Sequence, residues 1–264
     1  MNAFSIPSWV CMWAMAVGVF ASLKALTWRK VVREGAAQGV GNTAGYFLGW
    51  VGLDPRQFLM RSAVRPALGC WVMSILKMGL GSVLLWGVAP RFMEETPLLA
   101  GWIGMVGMIF ILHFGLFALL ALAWQASGRG VEMIMCNPIA SRSVREFWGR
   151  RWNRAFHAAV ESLVFRPCAR RLGATGALLV TFTVSGLIHD LMISVPACGG
   201  YGLPTLYFLL QGSAIVLERT IGLNSGLRGW LFTMLVVGPP AFILFHPPFV
   251  LRVVVPFMHA LGAG

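Results

Sequence analysis

A histidine and an aspartate lie side by side within an apolar run of this 264-residue sequence, in Ser185-Gly-Leu-Ile-His189-Asp190. Ionisable residues at membrane depth are costly and usually face a cavity that marks a site. A neutral imidazole can take the proton of a hydroxyl near neutral pH, so His189 is a candidate general base. Two structural interpretations stay open: a neighbouring helix satisfies His189, or Asp190 pairs with an arginine.

A second candidate segment, residues 143–157, is rich in arginine and tryptophan. Ser143-x-x-Glu146 fits a capping box, in which Ser143 accepts from the N3 amide and Glu146 returns to the cap amide. It predicts a helix from Val144 to about Phe165, stopped by Pro167. That helix would place three pairs one turn apart: Trp148 with Trp152, Asn153 with His157, and Arg150 with Arg154.

The chemistry of this segment has two interpretations. Guanidinium groups bind phosphates through bidentate hydrogen bonds, and the interleaved aromatic rings could stack on a nucleotide base. Alternatively, the segment is an interfacial helix whose arginines contact lipid phosphates and whose tryptophans lie at the headgroup level. His113 stands alone in its apolar run, which predicts packing rather than chemistry. Glu218 and Arg219 are predicted to pair with each other.

The composition indicates which elements must position these residues. The apolar fraction is 58%, the charged fraction is 11% and the mean hydropathy is +0.75, which excludes soluble globular and disordered classes. The formal charge of +12 therefore indicates cytosolic loops and anionic headgroups or substrates rather than nucleic acid. The five cysteines are far apart and suggest neither disulfides nor a zinc site.

Apolar runs long enough to cross a bilayer predict six or seven transmembrane helices. The first is Ile6–Leu26, and its basic residues follow the run, which is typical of a retained helix rather than a cleaved signal peptide. Residues 27–66 carry six Lys or Arg and residues 126–173 carry nine, whereas residues 91–97 carry one. Both basic segments are therefore predicted to be cytosolic. The spacing Gly101-x-x-Gly104-x-x-Gly107 predicts close helix packing.

Two motifs resemble a known family. Phe147-Trp-Gly-Arg-Arg-Trp-Asn153, preceded by Asn137-Pro138, and Ser185-Gly-Leu-Ile-His189 are similar to the wax synthase branch of the membrane-bound O-acyltransferase superfamily. That superfamily has an aromatic-rich motif ending in Trp-Asn some tens of residues before a membrane-buried histidine. The family tends to have glutamate after this histidine, where the present chain has Asp190, one methylene shorter.

The resemblance implies an all-α polytopic bundle that encloses a substrate tunnel, with an amphipathic helix on the cytosolic side. It implies one transmembrane domain over residues 1–264, with a core motif region at 137–190, and its similarity to bacterial members implies the inner membrane. The implied reaction moves a fatty acyl group from acyl-CoA to an alcohol hydroxyl. A long-chain alcohol giving a wax ester is the leading substrate, and glycerolipids, sterols and hydroxylated secondary metabolites stay open.

In that reaction His189 would be the general base, and Asn153 would donate to a carbonyl or a developing oxyanion, or orient the substrate. The remaining implied site residues bind substrate: Arg150, Arg151 and Arg154 at the CoA phosphates, with Trp148, Trp152, His157 and Asp190. No metal and no cofactor besides the acyl-CoA donor is expected. The alternatives are a lipid transporter or flippase, and an inactive membrane scaffold that uses the same arginines and the same buried histidine. A transporter often has repeated halves, and we find no internal repeat.

Overall fold

The computed structural model describes residues 6–35 and 39–264, and every regular element in these ranges is helical. This confirms the predicted all-α class. In chain order the helices are α1 Ser8–Arg33, α2 Val40–Gly49, α3 Pro55–Leu59, α4 Leu68–Phe92, α5 Pro97–Ala126, α6 Arg154–Ala197, α7 Leu203–Thr220, α8 Gly226–Leu244 and α9 Pro247–Ala260. Residues 127–153, here called the motif loop, connect α5 to α6 through short helical turns.

Within the described ranges, five helices are long and apolar enough to cross a membrane: α1, α4, α5, α6 and α8. The sequence predicts six or seven spans, and the two remaining runs form α7 and α9. The last turn of α7 carries the charged residues Glu218 and Arg219, which lowers its hydropathy, and α9 is shorter than a full span. The integral membrane architecture is confirmed.

The main core brings α4–α9 together around apolar side chains. The glycines of α5 allow this packing, as predicted. A Cβ at Gly101 would collide with Val250, and one at Gly104 would collide with Met258, both on α9. A Cβ at Gly107 would lie 2.9 Å from a backbone oxygen of α4. Helix α5 is therefore in close contact with α4 on one side and with α9 on the other.

A smaller aromatic core joins α1, α2, α3, α5 and the motif loop at one end of the bundle. Lys24 of α1 is buried there, and its Nζ donates to the carbonyls of Trp50 at 2.5 Å and Gly52 at 3.0 Å. The ammonium also lies 4.0 Å from the ring centroid of Tyr46, a cation–π contact. Because the basic segments of the sequence meet here, we call this the basic end of the bundle.

Helix α6 is broken at a position that the sequence does not predict. Pro167 was predicted to stop the helix, but α6 continues through it, directly after the π-helical segment Glu161–Phe165. The break occurs instead at Gly173, with φ 68° and ψ 177°, a conformation that glycine tolerates. The part of α6 after this kink carries His189 into the main core.

Candidate active site

His189 lies on α6, eight residues or about 12 Å of helix before Ala197. Its Nδ1 lies 2.7 Å from the carbonyl oxygen of Ser185, one turn earlier. Because a carbonyl oxygen only accepts hydrogen bonds, this contact requires the proton on Nδ1 and leaves a lone pair on Nε2. No hydrogen bond to Nε2 is formed within the described part of the chain. The imidazole thus has the tautomer of a neutral base.

Two aromatic rings lie against this imidazole. The ring centroid of Phe208 on α7 is 4.4 Å away, and that of Phe156 on the first turn of α6 is 6.2 Å away. Helix α7 approaches closely because residue 186 is glycine: a Cβ there would lie 2.7 Å from Cα of Thr205. The Ser-Gly pair before His189 therefore supplies the carbonyl that orients the imidazole and the space that admits α7.

Asp190 points away from the imidazole and accepts from the start of α7. Its carboxylate accepts from the backbone N–H groups of Gly202 at 2.8 Å and Thr205 at 3.1 Å, and also from the Thr205 hydroxyl. Ser194 donates a further hydrogen bond at 2.8 Å. A carboxylate at a helix N-terminus satisfies unpaired N–H groups and interacts favourably with the helix dipole. Asp190 thus caps the N-terminus of α7.

The prediction of one continuous helix from Val144 to Phe165 is wrong. Helical turns cover Val144–Glu146 and Phe147–Arg151, but Trp152 is extended and Asn153 is left-handed, with φ 40° and ψ 57°. A new helix begins at Arg154, and Oδ1 of Asn153 accepts from N–H of Phe156 at 3.3 Å. Asparagine tolerates this conformation and is a preferred N-cap, so it breaks the helix at this position.

Half of the predicted capping box is present. Ser143 Oγ accepts from N–H of Glu146 at 2.9 Å, as predicted. The Glu146 carboxylate accepts from N–H of Arg142 at 2.7 Å and from Arg151 instead of returning to the cap amide. Partial burial acts to raise the pKa of Glu146, but these hydrogen bonds and the arginine charges outweigh it and lower that pKa.

The broken helix separates the two tryptophans that were predicted to share one face. Trp148 packs against Phe208 with ring centroids 5.4 Å apart, and its Nε1 donates to Gln211 of α7 at 3.2 Å. Trp152 instead stacks on Phe147 at 5.5 Å. Only Trp148 is therefore connected to the imidazole of His189 through Phe208.

The three arginines predicted to bind substrate have different surroundings. Arg151 forms an ion pair with Glu146 at 2.7 Å and donates to two carbonyls of the motif loop. Arg154 forms an ion pair with Glu132. Arg150 is exposed and makes no hydrogen bond within the described residues. The structure therefore gives Arg151 internal contacts and leaves Arg150 accessible.

Polar groups also line a cavity at the basic end. Arg154 and His157 line a pocket of about 280 Å³ together with three acidic residues, Asp54, Glu132 and Glu161. His157 is exposed, and its Nε2 lies 3.8 Å from Oε2 of Glu161. An apolar groove of about 570 Å³ runs along α6 and α7 beside Asp190. The polar pocket and the apolar groove are thus separate, and they share no lining residue.

The role of Glu218 differs from the one that the sequence predicts. It was predicted to pair with Arg219, but its carboxylate accepts from N–H of Val144 at 2.6 Å and from N–H of Arg145 at 3.0 Å. The side chain is buried, with only 1% of its surface exposed. An acidic residue in an apolar helix indicates that it has a specific partner. The sequence does not identify that partner, because Val144 is 74 positions away.

Comparison with known proteins identifies relatives of the motif region. Residues 131–210 match the model of the membrane bound O-acyl transferase family. "Probable long-chain-alcohol O-fatty-acyltransferase 7" of Arabidopsis thaliana is 29% identical over 137 residues, which are 46% of this chain and 40% of the relative. "Probable long-chain-alcohol O-fatty-acyltransferase 9" of the same plant is 29% identical over 182 residues, 61% of this chain and 52% of the relative.

A third relative, "Long-chain-alcohol O-fatty-acyltransferase" of Simmondsia chinensis, is 30% identical over 99 residues, 32% of this chain and 28% of the relative. The matched part of the chain spans about half of these relatives or less. The resemblance predicted from the two motifs is confirmed.

Proposed function

We propose that this chain, a relative of the membrane-bound O-acyltransferases of the wax synthase type, transfers a fatty acyl group from acyl-CoA to the hydroxyl of a lipophilic alcohol. A long-chain fatty alcohol, giving a wax ester, is the first candidate acceptor. The observation that carries the proposal is the state of His189: Nδ1 is engaged by the Ser185 carbonyl, and Nε2 has no partner within the described residues. An imidazole held in this way is prepared to accept a hydroxyl proton.

The proposed step balances with one base and no covalent enzyme intermediate. Nε2 of His189 takes the hydroxyl proton while the alcohol oxygen attacks the thioester carbonyl carbon. The tetrahedral intermediate then collapses, the C–S bond breaks, and the imidazolium returns the proton to the leaving thiolate. The products are an ester and free CoA. Apolar surroundings exclude competing water from this step.

Asn153 supplies the proposed hydrogen bond to the carbonyl oxygen. Its Oδ1 is occupied by N–H of Phe156, which leaves the Nδ2 donors for substrate. Phe156 contacts both Asn153 and His189, because its N–H donates to Oδ1 of Asn153 and its ring lies against the imidazole. Asn153 is therefore linked to the base through Phe156.

The polar end of acyl-CoA is assigned to the basic end of the bundle, which we place on the cytosolic side. Arg150 is accessible, and Arg154 lines the polar pocket of about 280 Å³. Arginine forks bind phosphate groups through charge-assisted hydrogen bonds. Arg151 is assigned to the internal structure of the motif loop, since Glu146 and two carbonyls already occupy its guanidinium.

The test is an acyl-transfer assay in membranes from a host without neutral-lipid synthesis. Labelled palmitoyl-CoA is offered with hexadecanol, diacylglycerol or a sterol, to wild type, His189→Ala and His259→Ala. His259 is an exposed histidine on α9 and serves as the matched control. We expect an ester with hexadecanol from wild type and from His259→Ala, and none from His189→Ala.

Two results would contradict the proposal. An ester formed equally by His189→Ala would remove this residue from the chemistry. No ester with any acceptor, from protein shown by gel filtration to be folded, would favour a lipid transporter or an inactive scaffold. Those two functions predict acyl-CoA binding without product, so binding of labelled acyl-CoA is measured on the same samples.

A further inference from the structure

His113 is a partly buried imidazole that the proposed reaction does not use. It lies on α5, 16 residues after Pro97 and 13 before Ala126, so about 20 Å of helix separate it from either end. Its Nδ1 is buried and has no hydrogen-bond partner among residues 6–35 and 39–264. Within the described residues, no hydrogen bond to either nitrogen of this ring is formed. Buried polar groups without partners are uncommon and need an explanation.

The surroundings of His113 point toward the motif loop. Its ring is nearly parallel to that of Trp152, with centroids 6.5 Å apart and an angle of 17° between planes. Phe117 contacts it edge-on at 5.3 Å. Trp152 directly precedes Asn153. The side chain of Asn153 accepts a hydrogen bond from N–H of Phe156, and the ring of Phe156 lies against His189. His113 thus contacts Trp152, immediately before Asn153, whereas His189 contacts Phe156, three residues after Asn153.

The backbone at His113 is also irregular. Residues Phe110–Leu116 form a π-helical segment within α5, which changes the direction of the side chains on either side of it. Four other π-helical segments occur in the described residues, at Val83–Val88, Phe147–Arg151, Glu161–Phe165 and Val250–Val254, so this irregularity does not by itself mark a site. On packing alone, phenylalanine would fill the same aromatic surroundings without an unpaired nitrogen. The polar atom is therefore the feature of His113 that packing does not explain.

We propose that His113 hydrogen-bonds an oxygen of the lipid substrate, so that it is a second substrate-contacting histidine beside the Asn153 turn. A hydroxyl or a carbonyl oxygen has the required chemistry, and its sources are the acceptor alcohol and the acyl thioester. The inference rests on the proposed function for the identity of these ligands. It is an alternative to the sequence prediction that this histidine serves packing rather than chemistry.

The experiment compares wild type with His113→Phe, His113→Gln and the control His259→Phe in detergent. Thermal stability is measured without ligand, with hexadecanol and with palmitoyl-CoA, and KM is measured for each substrate. Phenylalanine keeps the ring stack on Trp152 and removes both nitrogens, whereas glutamine keeps a donor and an acceptor. Because the nitrogen has no protein partner, His113→Phe should be at least as stable as wild type without ligand.

We expect His113→Phe to raise KM about fivefold to tenfold for one substrate, as for the loss of one hydrogen bond. The thermal shift produced by that substrate should also shrink. The affected substrate identifies the source of the oxygen: hexadecanol for the acceptor, palmitoyl-CoA for the thioester. His113→Gln should restore most of the affinity, and His259→Phe should change nothing.

Two results would overturn the inference. Unchanged KM values and unchanged thermal shifts in His113→Phe would make His113 a packing residue. Loss of folding in His113→Phe would show that the nitrogen serves the protein itself. The ligand-dependent thermal shift needs no turnover. A wild type that binds hexadecanol but forms no ester would therefore refute the proposed function without refuting this inference.

Discussion

The carboxylate of Asp190 accepts a hydrogen bond from the backbone N–H of Thr205 at 3.1 Å, so the residue after the candidate base holds the start of α7. At the other end of α7, Glu218 accepts from N–H of Val144 in the motif loop. Two acidic side chains therefore attach α7 to the two segments that carry the candidate site. Between them, Phe208 contacts His189 and Gln211 binds Trp148. Helix α7 is the wall against which the site is assembled.

Removal of the Asp190 carboxylate should act on stability before chemistry. Asp190→Ala leaves the first turn of α7 without its cap, which should cost about 2 kcal/mol. Asp190→Asn keeps one acceptor oxygen and should cost less. We expect a lower thermal midpoint for both, with turnover per folded molecule reduced less than in His189→Ala. An unchanged midpoint together with abolished turnover would instead assign Asp190 a direct chemical role.

Two substitutions at Asn153 separate its cap from its amide donor. Asn153→Asp keeps the oxygen that accepts from Phe156 and tolerates the left-handed conformation, but it removes the Nδ2 donor. We expect the folded protein to retain its stability and to lose about 100-fold in kcat, as for the loss of one oxyanion donor. Asn153→Gly should lose similar activity and roughly a few tenths of a kcal/mol of stability, since glycine tolerates both the cap position and the left-handed conformation. Near-normal kcat in Asn153→Asp would show that Asn153 is only a cap.

The arginines of the motif loop should divide into two classes. Arg150→Ala combined with Arg154→Ala should raise KM for acyl-CoA about tenfold, more at low salt than at high salt, because charge-assisted phosphate contacts are lost. Arg151→Ala should lower the thermal midpoint, because its ion pair and carbonyl contacts hold the motif loop. Arg228→Ala, at an exposed position on α8, is the matched control. Unchanged acyl-CoA affinity in the double variant would refute the phosphate assignment.

The close approach of α6 and α7 at Gly186 should be essential for activity. A Cβ in Gly186→Ala would meet the backbone of Thr205, so α7 must shift and Phe208 must move from His189. We expect a loss of about 1–3 kcal/mol in stability, as for overpacking, and a fall in kcat. Gly79→Ala on α4 is the control, because a Cβ there meets no atom within 4 Å. Equal behaviour of the two variants would show that this contact is not needed.

Hydropathy, charge asymmetry and two short motifs were enough to predict the membrane class, the all-α fold and the family resemblance, because these properties depend on composition and local spacing. The glycines of α5 were also identified correctly, since small residues at helical spacing permit close packing wherever the neighbour lies. The motif loop was not predicted correctly. Its helical periodicity favoured one continuous helix, whereas Asn153 takes a left-handed conformation that a pattern of side chains does not reveal.

His189 could be named from the sequence because an ionisable residue in an apolar run is unusual whatever surrounds it. Only the tertiary structure decided what its neighbours do. Asp190 caps α7, Glu218 holds the motif loop, Arg151 binds Glu146, and the unpaired nitrogen of His113 lies beside Trp152. Each of these roles depends on partners from other segments of the chain, and a hydrogen bond between distant segments leaves no periodic signal in the sequence.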